Sequence, residues 1–275
     1  MAATDGTVGK ALDVLEKVAE RDRPVRFSDL LAESELPKAT LYRLLQTLTN
    51  QGMLRHDAET GAYSLGVRLV RLAHRAWSTA SLAPLARPHL DALARQTGQT
   101  IHLAQLDTAQ VLYVDKRSAE TPVEMFSQAG KIGPAYCTGV GKTMLAFLPV
   151  AQQDRLIQQQ SFHAFTDQTL DTPERLRAEL VAIAARGHGY DREEHEPGII
   201  CVAVPILSAG GRVLGGLSVT GHKDHVALAT LEGHLPALKT TARAIAEDAA
   251  DWAFPERGGE AVMTRREEDT CRESG

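Results

Sequence analysis

The sequence has few cysteines, no long apolar run and no excess of positive charge. Its three cysteines, Cys137, Cys201 and Cys271, are far apart and odd in number, which argues against a disulfide scaffold and favours a reducing compartment. No stretch reaches the apolar length of a membrane span, and the polar N-terminus lacks the apolar core of a signal peptide. We therefore expect a cytoplasmic protein without a membrane partner.

The charge and length limit the class of protein further. A formal net charge of -5 disfavours a protein that coats nucleic acid without sequence preference, but it leaves room for a specific reader with a local basic patch. The chain has 275 residues, of which 43% are hydrophobic. That is enough for two modest hydrophobic cores rather than one, so we expect two domains.

The segment Leu36–Leu48 has the pattern of a helix with an apolar back and a polar front. Pro37 suits the first turn of such a helix, and four leucines recur at helical spacing behind it: Leu41, Leu44, Leu45 and Leu48. An amphipathic helix is predicted at Val8–Glu20, and a short helix at Asp29–Ala32 with Ser28 as its N-cap. A polar second helix behind a short first one is how a helix-turn-helix reads DNA.

A β-hairpin and a further helix follow. The strand-like runs Met53–His56 and Ala62–Leu65 flank a turn that contains Gly61, which predicts a hairpin. Residues 1–65 are therefore predicted to form a winged helix-turn-helix domain that binds DNA. Residues 66–80 are predicted to form a linker helix, whose apolar and basic faces suit packing against a partner subunit.

The rest of the chain predicts an α+β domain over residues 81–252, with a mostly antiparallel sheet. Predicted strands lie at 101–106, 111–114, 123–127, 200–207 and 213–220. Predicted helices lie at 82–97, 139–148, 173–186 and 228–250. Residues 253–275 are charged and poor in apolar side chains, so we expect a disordered tail.

Several motifs occur in a fixed order across both halves of the chain. They are Leu36–Thr40, Tyr63–Gly66, Tyr136–Lys142, Glu193–His195 with Gly198, Cys201 and Pro205, and Leu217–Gly221. From about Val8 to Ala250 the chain resembles the isocitrate lyase regulator (IclR) family of bacterial transcription factors. The resemblance implies a winged helix-turn-helix, a GAF-like effector-binding domain and assembly into a homodimer or homotetramer, with no enzyme activity and no cofactor.

The predicted DNA contacts lie on the second helix and the wing. Thr40 and Arg43 would face the major groove, Lys38 would lie near a phosphate, and Arg55 with His56 on the wing would touch the backbone. A solvated helix face is the alternative, but the helix start, the turn and the wing together favour DNA. The predicted DNA-binding residues are Ser28, Lys38, Ala39, Thr40, Tyr42, Arg43, Gln46, Thr47 and Arg55.

The segment Gly139–Thr143 resembles the end of a phosphate-binding loop. The full pattern requires a glycine where Tyr136 stands, and Pro134 lies where a buried strand should run, so nucleotide binding is rejected. Free backbone N–H groups at a helix start could still hold a carboxylate. A tight glycine-rich turn needed only for packing explains the same residues equally well.

The resemblance implies a small organic acid as effector. It places Gly139 and Val140 at backbone contacts, and it puts polar side chains at Asp191, Cys201, Ser218 and Thr220. Apolar wall positions fall at Pro122, Met125 and Gly133, with Ile200 beside them. Because Pro122 and Gly133 replace larger residues of glyoxylate-sensing relatives, we expect a roomier pocket that favours a sugar acid or an aromatic carboxylate. Plain strand alternation would also put Ser218 and Thr220 on one face.

The residues also offer three other functions. The run Asp191–His195, with His188 and Cys201, could be read as a zinc site, but its spacing fits no template and its glycines indicate a loop. Cys137 or Cys201 with a histidine (His188, His195 or His222) could be a nucleophile and base, but no catalytic signature surrounds them. A redox sensor is disfavoured because the cysteines show no paired spacing.

The sequence therefore predicts a ligand-responsive transcriptional regulator of a catabolic operon, either a repressor or an activator. Two reading heads would bind a pseudo-palindromic operator in double-stranded DNA, and a small organic acid would shift the arrangement of the heads. The alternative is a small-molecule enzyme or metal-binding protein with an accessory winged helix.

Overall fold

The structure is a computed structural model that describes residues 6–119 and 125–250, without the side chains of 78–80. The predicted tail at 253–275 and the predicted wall residue Pro122 lie outside the described residues. The chain divides into two compact units with a boundary between Thr79 and Ala80. The separate linker helix at 66–80 and the exact domain limits stay predictions.

The first unit combines helices with a small antiparallel sheet. Its helices are α1 (Gly6–Ala19), α2 (Phe27–Ala32), α3 (Lys38–Asn50) and α4 (Val67–Ala80). Its strands are β1 (Val25–Arg26), β2 (Leu54–His56) and β3 (Ala62–Leu65), in the order β1-β3-β2. The order of three helices and a hairpin confirms the predicted winged helix-turn-helix.

The apolar stripe of α3 forms the centre of this unit. Leu41, Leu44, Leu45 and Leu48 are all buried, and they pack with side chains of α1, α2 and the wing in one hydrophobic cluster. Burial of one face leaves the opposite face of α3 in solvent. The same periodicity that predicted the helix therefore fixes which side chains face outward.

One local prediction in this unit was wrong, and one strand was missed. Ser28 is not the N-cap of α2, because the helix begins at Phe27 with Arg26 at the cap position. The Asp29 carboxylate accepts the backbone N–H of Arg26 at 3.4 Å, and the Ser28 hydroxyl donates to Asp29 instead. Strand β1 was not predicted, because two residues carry no periodicity and pair only through contact with β3.

The second unit is built on a six-stranded antiparallel sheet in the order β6-β5-β4-β9-β8-β7. The strands are β4 (Thr100–Asp107), β5 (Gln110–Arg117), β6 (Ile132–Pro134), β7 (Gly189–Arg192), β8 (Ile199–Leu207) and β9 (Val213–His222). The helices are α5 (Ala83–Thr97), α6 (Gly139–Ala146), α7 (Val150–Gln158), α8 (Pro173–Arg186), α9 (Leu228–Glu232) and α10 (Leu235–Asp248). The α+β class is confirmed.

Helices cover the central strands of this sheet. Helix α6 packs on β8 and β9 and is backed by α8, while α10 packs on β8 and on α5. Strands β4, β8 and β9 are accordingly buried along almost their whole length. None of the helices within 6–119 and 125–250 is long and apolar enough to cross a lipid bilayer.

Several predicted elements of the second unit differ from the structure. No strand forms at residues 125–127, and the rest of that predicted strand lies outside the described residues. The outer strand is β6, where Pro134 is tolerated at the sheet edge. The predicted helix at 228–250 is two helices, with Pro236 in the first turn of α10. The predicted loop at 187–198 contains strand β7, and α7 was not predicted.

Candidate functional site

The polar face of α3 lies on the surface of the first unit. Lys38, Ala39, Tyr42, Arg43, Gln46 and Thr47 are exposed, Thr40 is half-buried, and Ser28 and Arg55 are exposed on α2 and β2. The ring of Tyr42 packs edge-on against Phe27, with the ring centroids 6.2 Å apart. The Thr47 hydroxyl donates to the Arg43 carbonyl at 2.8 Å, so that hydroxyl proton is already used within the helix.

The first unit has basic side chains that can interact with DNA, although the whole chain is negatively charged. Lys38, Arg43 and Arg55 form no ion pair with another described residue, so their cations are available to phosphates or bases. Residues 6–79 contain eleven Lys and Arg against nine Asp and Glu, although the whole chain carries -5. The negative charge therefore resides in the rest of the chain.

The tip of the wing has the opposite charge. The Asp57 carboxylate accepts the backbone N–H of Glu59 at 2.9 Å and that of Thr60 at 3.4 Å. The hydrogen bond from Glu59 is the largest of the contributions that lower the pKa of Asp57. These hydrogen bonds favour the charged form of Asp57 at the tip, so the phosphate contact predicted for Arg55 falls at the base of the wing.

Sheet register assembles a second candidate site, in the second unit. Asp191 on β7 pairs with Cys201 on β8, and Cys201 pairs with Thr220 on β9. On β4, His102 pairs with Ser218 of β9. Four strands thus bring five polar side chains to one end of the sheet, where α6 begins.

These residues enclose a cavity of about 30 Å³. A cavity of this size has room for ordered water but not for a larger molecule. The cavity is lined by His102, Tyr113, Ser127, Thr138, Gly139, Val140, Asp191, His195, Glu196, Ile199, Cys201, Ser218 and Thr220.

The start of α6 presents its backbone to this cavity. Thr138 at the N-cap position makes no side-chain cap, because its hydroxyl donates to the Pro134 carbonyl at 2.8 Å. The first N–H groups of the helix are therefore left for another acceptor. Glycine is needed at Gly139, since a Cβ there would overlap the Cys201 sulfur. Close packing therefore explains the glycine at position 139, and the binding of a carboxylate by the N–H groups stays a prediction.

A buried imidazole links the polar side chains of the cavity. His102 Nε2 lies 2.8 Å from the Ser127 hydroxyl, and Nδ1 lies 3.1 Å from the Thr220 hydroxyl and 3.5 Å from that of Ser218. Burial lowers the pKa of His102 to about 3, and the nearby Lys116 charge adds to the effect. The imidazole is neutral at physiological pH, so one ring nitrogen donates and the other accepts.

Neither lysine nor arginine is among the described residues that line the cavity. Burial raises the pKa of Asp191, and the neighbouring Glu194 charge raises it further against the opposing effect of Lys142. Burial also raises the pKa of the Cys201 thiol, which stays protonated. A bound anion would therefore be held by N–H and O–H donors rather than by an ion pair with a lysine or an arginine.

The lysine of the phosphate-loop-like segment is used elsewhere. Lys142 is fully buried, and its ammonium bonds both carboxylate oxygens of the buried Glu194. The Asp191 carboxylate in turn accepts the Glu194 N–H at 2.8 Å. The pair fixes the segment after β7 against α6, and the Lys142 ammonium is therefore not available to a phosphate.

Aromatic rings lie beside the cavity. The ring of His195 lies between Phe126 and Phe165, at centroid distances of 5.1 and 4.7 Å. The Glu196 carboxylate accepts the Phe126 N–H at 2.9 and 3.1 Å. These contacts hold the segments around Phe126, Phe165 and His195–Glu196 together beside the cavity.

The structure brings together six of the nine described effector candidates: Gly139, Val140, Asp191, Cys201, Ser218 and Thr220. Ile200 does not line the cavity, since alternation along β8 turns Ile199 and Cys201 to it instead. Met125 lines a neighbouring cleft of about 430 Å³ that shares Thr220. The contact of each residue with an effector stays a prediction.

The expected space at Gly133 is already occupied. A Cβ at Gly133 would lie 3.3 Å from the Tyr113 ring and 3.7 Å from Phe126, so larger neighbours occupy the space that a side chain would take. The expectation of a roomier pocket at this position was therefore wrong.

Sequence reasoning missed seven lining residues: His102, Tyr113, Ser127, Thr138, His195, Glu196 and Ile199. The only signal for His102 was a histidine within the apolar strand 101–106, which is a candidate buried polar group.

The described residues show no arrangement that supports the zinc-site or the nucleophile-and-base alternative. No group of three or more His, Cys, Asp or Glu within 6–119 and 125–250 is placed to hold a metal ion. The ring nitrogens of His188 lie 2.9 Å from the Tyr190 hydroxyl and 3.0 Å from the Arg186 carbonyl. Cys137, like Cys201, is buried, and burial raises the pKa of its thiol.

The fold and the exposed α3 face define a DNA-binding transcriptional regulator with a separate sensing domain. Comparison with known proteins places the chain within that class. The family described as bacterial transcriptional regulator IclR C-terminal matches residues 74–247, and the IclR helix-turn-helix domain matches residues 7–58. The chain belongs to the IclR family of transcriptional regulators and is not an enzyme.

Individual relatives cover most of the chain. The regulator XynR of Escherichia coli is 32% identical over 232 residues, which are 83% of this chain and 92% of XynR. KdgR of the same bacterium is 29% identical over 249 residues, covering 90% and 94% of the two chains. The crystal structure of Thermotoga maritima IclR is similar with a TM-score of 0.72 at 27% identity, covering 89% of this chain and 98% of that one.

Proposed function

We propose that this regulator represses a catabolic operon and is released or retained on its operator by a small organic acid. The observation that carries the proposal is the convergence of six residues from α6, β7, β8 and β9 on one cavity beside uncapped helix N–H groups. Relatives named Transcriptional repressor IclR, of Escherichia coli, and Acetate operon repressor, of Salmonella typhimurium, are 28% and 30% identical and support repression. The protein would work in the cytoplasm, where its DNA lies.

On the DNA side, α3 would dock in the major groove with Thr40 and Arg43 toward base edges. Lys38 and Arg55 would neutralise phosphates, which positions the domain without reading sequence. A homodimer or homotetramer would present two such helices to a pseudo-palindromic operator, with half-sites about one helical turn or a multiple apart.

The substitution Arg43→Ala tests this reading. We expect a loss of about tenfold or more in affinity for DNA selected by the wild-type protein, with unchanged thermal stability, because Arg43 is exposed and unpaired. Arg95→Ala in the second unit is the matched control and should bind as the wild type does. Fluorescence anisotropy that shows equal affinity for the wild type and Arg43→Ala would remove Arg43 from the interface.

On the effector side, the acid would place its carboxylate at the start of α6. The N–H groups there and the hydroxyls of Ser218 and Thr220 are the available donors, and the positive end of the α6 dipole favours an anion. A sugar acid or an aromatic carboxylate is the class that the sequence favoured, but the occupied space at Gly133 removes the argument from pocket size, so the ligand screen must also include smaller acids. A sugar acid or an aromatic carboxylate exceeds the cavity of about 30 Å³, so its binding requires lining side chains to move.

A thermal-shift screen over sugar acids, keto acids and aromatic acids identifies the effector, since a ligand of the folded state raises the apparent stability. With an acid found in that screen, Ser218→Ala should weaken binding by about fivefold or more in calorimetry, because one hydroxyl donor is lost. Ser208→Ala, in the turn between β8 and β9, is the control. Wild-type affinity of Ser218→Ala would place the acid elsewhere.

The effector can act only through its preference for one arrangement of the reading heads. Its effect on operator affinity must equal the effect of the operator on effector affinity, since the coupling free energy is reciprocal. Measuring both affinities, each with and without the other ligand, checks that equality. An acid that binds but leaves operator affinity unchanged is not the effector.

A further inference from the structure

The end of α3 and the start of α4 are joined by a dense set of contacts. The backbone N–H of Gly66 donates to the Met53 carbonyl at 2.8 Å, and that of Arg68 donates to the Gly52 carbonyl at 3.3 Å. The Arg68 guanidinium donates through Nη1 to both the main-chain and the side-chain oxygen of Gln51, each at 2.9 Å. Gln51 is the C-cap residue of α3, where carbonyls lack helical partners.

Gly66 allows this join by lacking a side chain. A Cβ at Gly66 would overlap the Gly52 carbonyl oxygen, and it would lie 2.8 Å from the Met53 carbonyl carbon. Gly66 does not adopt the left-handed conformation, so space rather than backbone freedom explains the glycine. A glycine before a helix would ordinarily suggest a hinge, whereas here it permits two backbones to touch.

The next residue of α4 adds a hydrophobic contact. Leu69 packs against the cluster that contains the buried leucines of α3. Three positions at or just before the start of α4, Gly66, Arg68 and Leu69, are thus tied to the end of α3 by backbone hydrogen bonds, a charged side chain and packing. We name this set of contacts the α3–α4 joint, formed by Gln51–Met53 and Gly66–Leu69.

We propose that Arg68 is a positioning residue for DNA reading, which acts through the α3–α4 joint and makes the reading helix turn together with α4. Helix α4 continues along the chain to Ala80, where the second unit begins. A change in the direction of α4 therefore passes to α3 instead of being absorbed at Gly66. This inference rests on the proposed reading of paired half-sites.

The dependence of DNA affinity on half-site spacing tests this role, because a residue that only stabilises the fold would not change that dependence. DNA is first selected by the wild-type protein from random duplexes, and two base pairs are then inserted between its half-sites. The insertion turns one half-site by about 70° around the axis, so a rigid reader should lose affinity. The dissociation constant for the lengthened duplex divided by that for the original duplex measures how firmly each reading helix is held.

For Arg68→Ala we expect that ratio to fall by at least about threefold, because a loosened α3 adapts to the altered spacing. Arg68→Lys, which keeps the charge and one donor to Gln51, should restore part of it. Arg71→Ala removes the same charge one turn away and should leave the ratio unchanged. Loss of a phosphate contact alone would weaken both duplexes equally and would not alter the ratio.

A wild-type ratio in Arg68→Ala, or an equal fall in Arg71→Ala, would overturn the role of Arg68. If the wild type binds the lengthened and the original duplex equally well, the proposed reading of paired half-sites is wrong. Amide hydrogen exchange then tests the α3–α4 joint by itself. The amides of Gly66 and Arg68 should exchange faster in Arg68→Ala than in Arg71→Ala, and equal rates would refute the joint. Gly66→Ala should accelerate the same amides.

Discussion

The buried pair of Lys142 and Glu194 gives the sharpest test of how the sensing domain is held together. Both side chains are almost completely removed from solvent, at 0% and 5% exposure. Substitution of Lys142 by Met preserves length but leaves a buried carboxylate without its cation. Removing one partner of such a pair lowers the free energy of unfolding by about 3–5 kcal/mol. That is a large part of the total free energy of unfolding of a whole domain, which is about 5–15 kcal/mol.

Replacing both partners should reverse most of that loss. The double variant Lys142→Met with Glu194→Leu contains no buried charge, and apolar replacements of buried pairs are often neutral or stabilising. Arg177→Met is the matched control, because its pair with Asp154 is about half exposed and should contribute no more than about 1 kcal/mol. Urea unfolding followed by circular dichroism measures all three.

The loss in Lys142→Met should also depend on pH. Burial raises the pKa of Glu194 even with Lys142 beside it, and removal of the lysine takes away an influence that lowers this pKa. The folded variant then binds a proton that the unfolded chain releases, so its stability falls as pH rises. A Lys142→Met variant within about 1 kcal/mol of the wild type, or a double variant as unstable as the single, would refute the reasoning.

Two further predictions concern the cavity. Because the pKa of His102 is lowered to about 3, the unfolded chain binds a proton that the folded one excludes, so stability should fall as pH drops below about 6.5. His102→Gln should flatten that fall in urea titrations, and an unchanged slope would contradict it. Gly139→Ala should cost about 1–3 kcal/mol through overlap with Cys201, and Cys201→Ala in the same chain should recover part of it. No recovery in thermal unfolding would show that the overlap is not the cause.

The reading helix was predictable because its pattern is local. The leucines of α3 and its polar face follow from helical periodicity within thirteen residues, and the structure places them as expected. Strands β1 and β7 were missed for the converse reason. They have two and four residues, and their identity depends on partners elsewhere in the chain.

The cavity could be predicted only in part. The resemblance supplied residues that do converge, but sequence does not fix the register that selects Ile199 rather than Ile200 to line the cavity. A shift of one residue moves a side chain to the other face of a sheet. The space at Gly133 depends on Tyr113, which no local pattern relates to it. His102 was missed because its partners Ser218 and Thr220 lie more than a hundred residues away.

The order of strands in the sheet sets an order of folding. Its centre joins β4 to β9, and the hydrogen-bonding side chains of His102 and Ser218 are 116 residues apart. The first unit closes through short-range contacts among helices and a hairpin, which form faster than pairings between distant strands. During synthesis the DNA-reading unit can therefore fold while β4 still lacks its central neighbour. For that interval the nascent chain would carry a finished reading head and no sensor to restrain it.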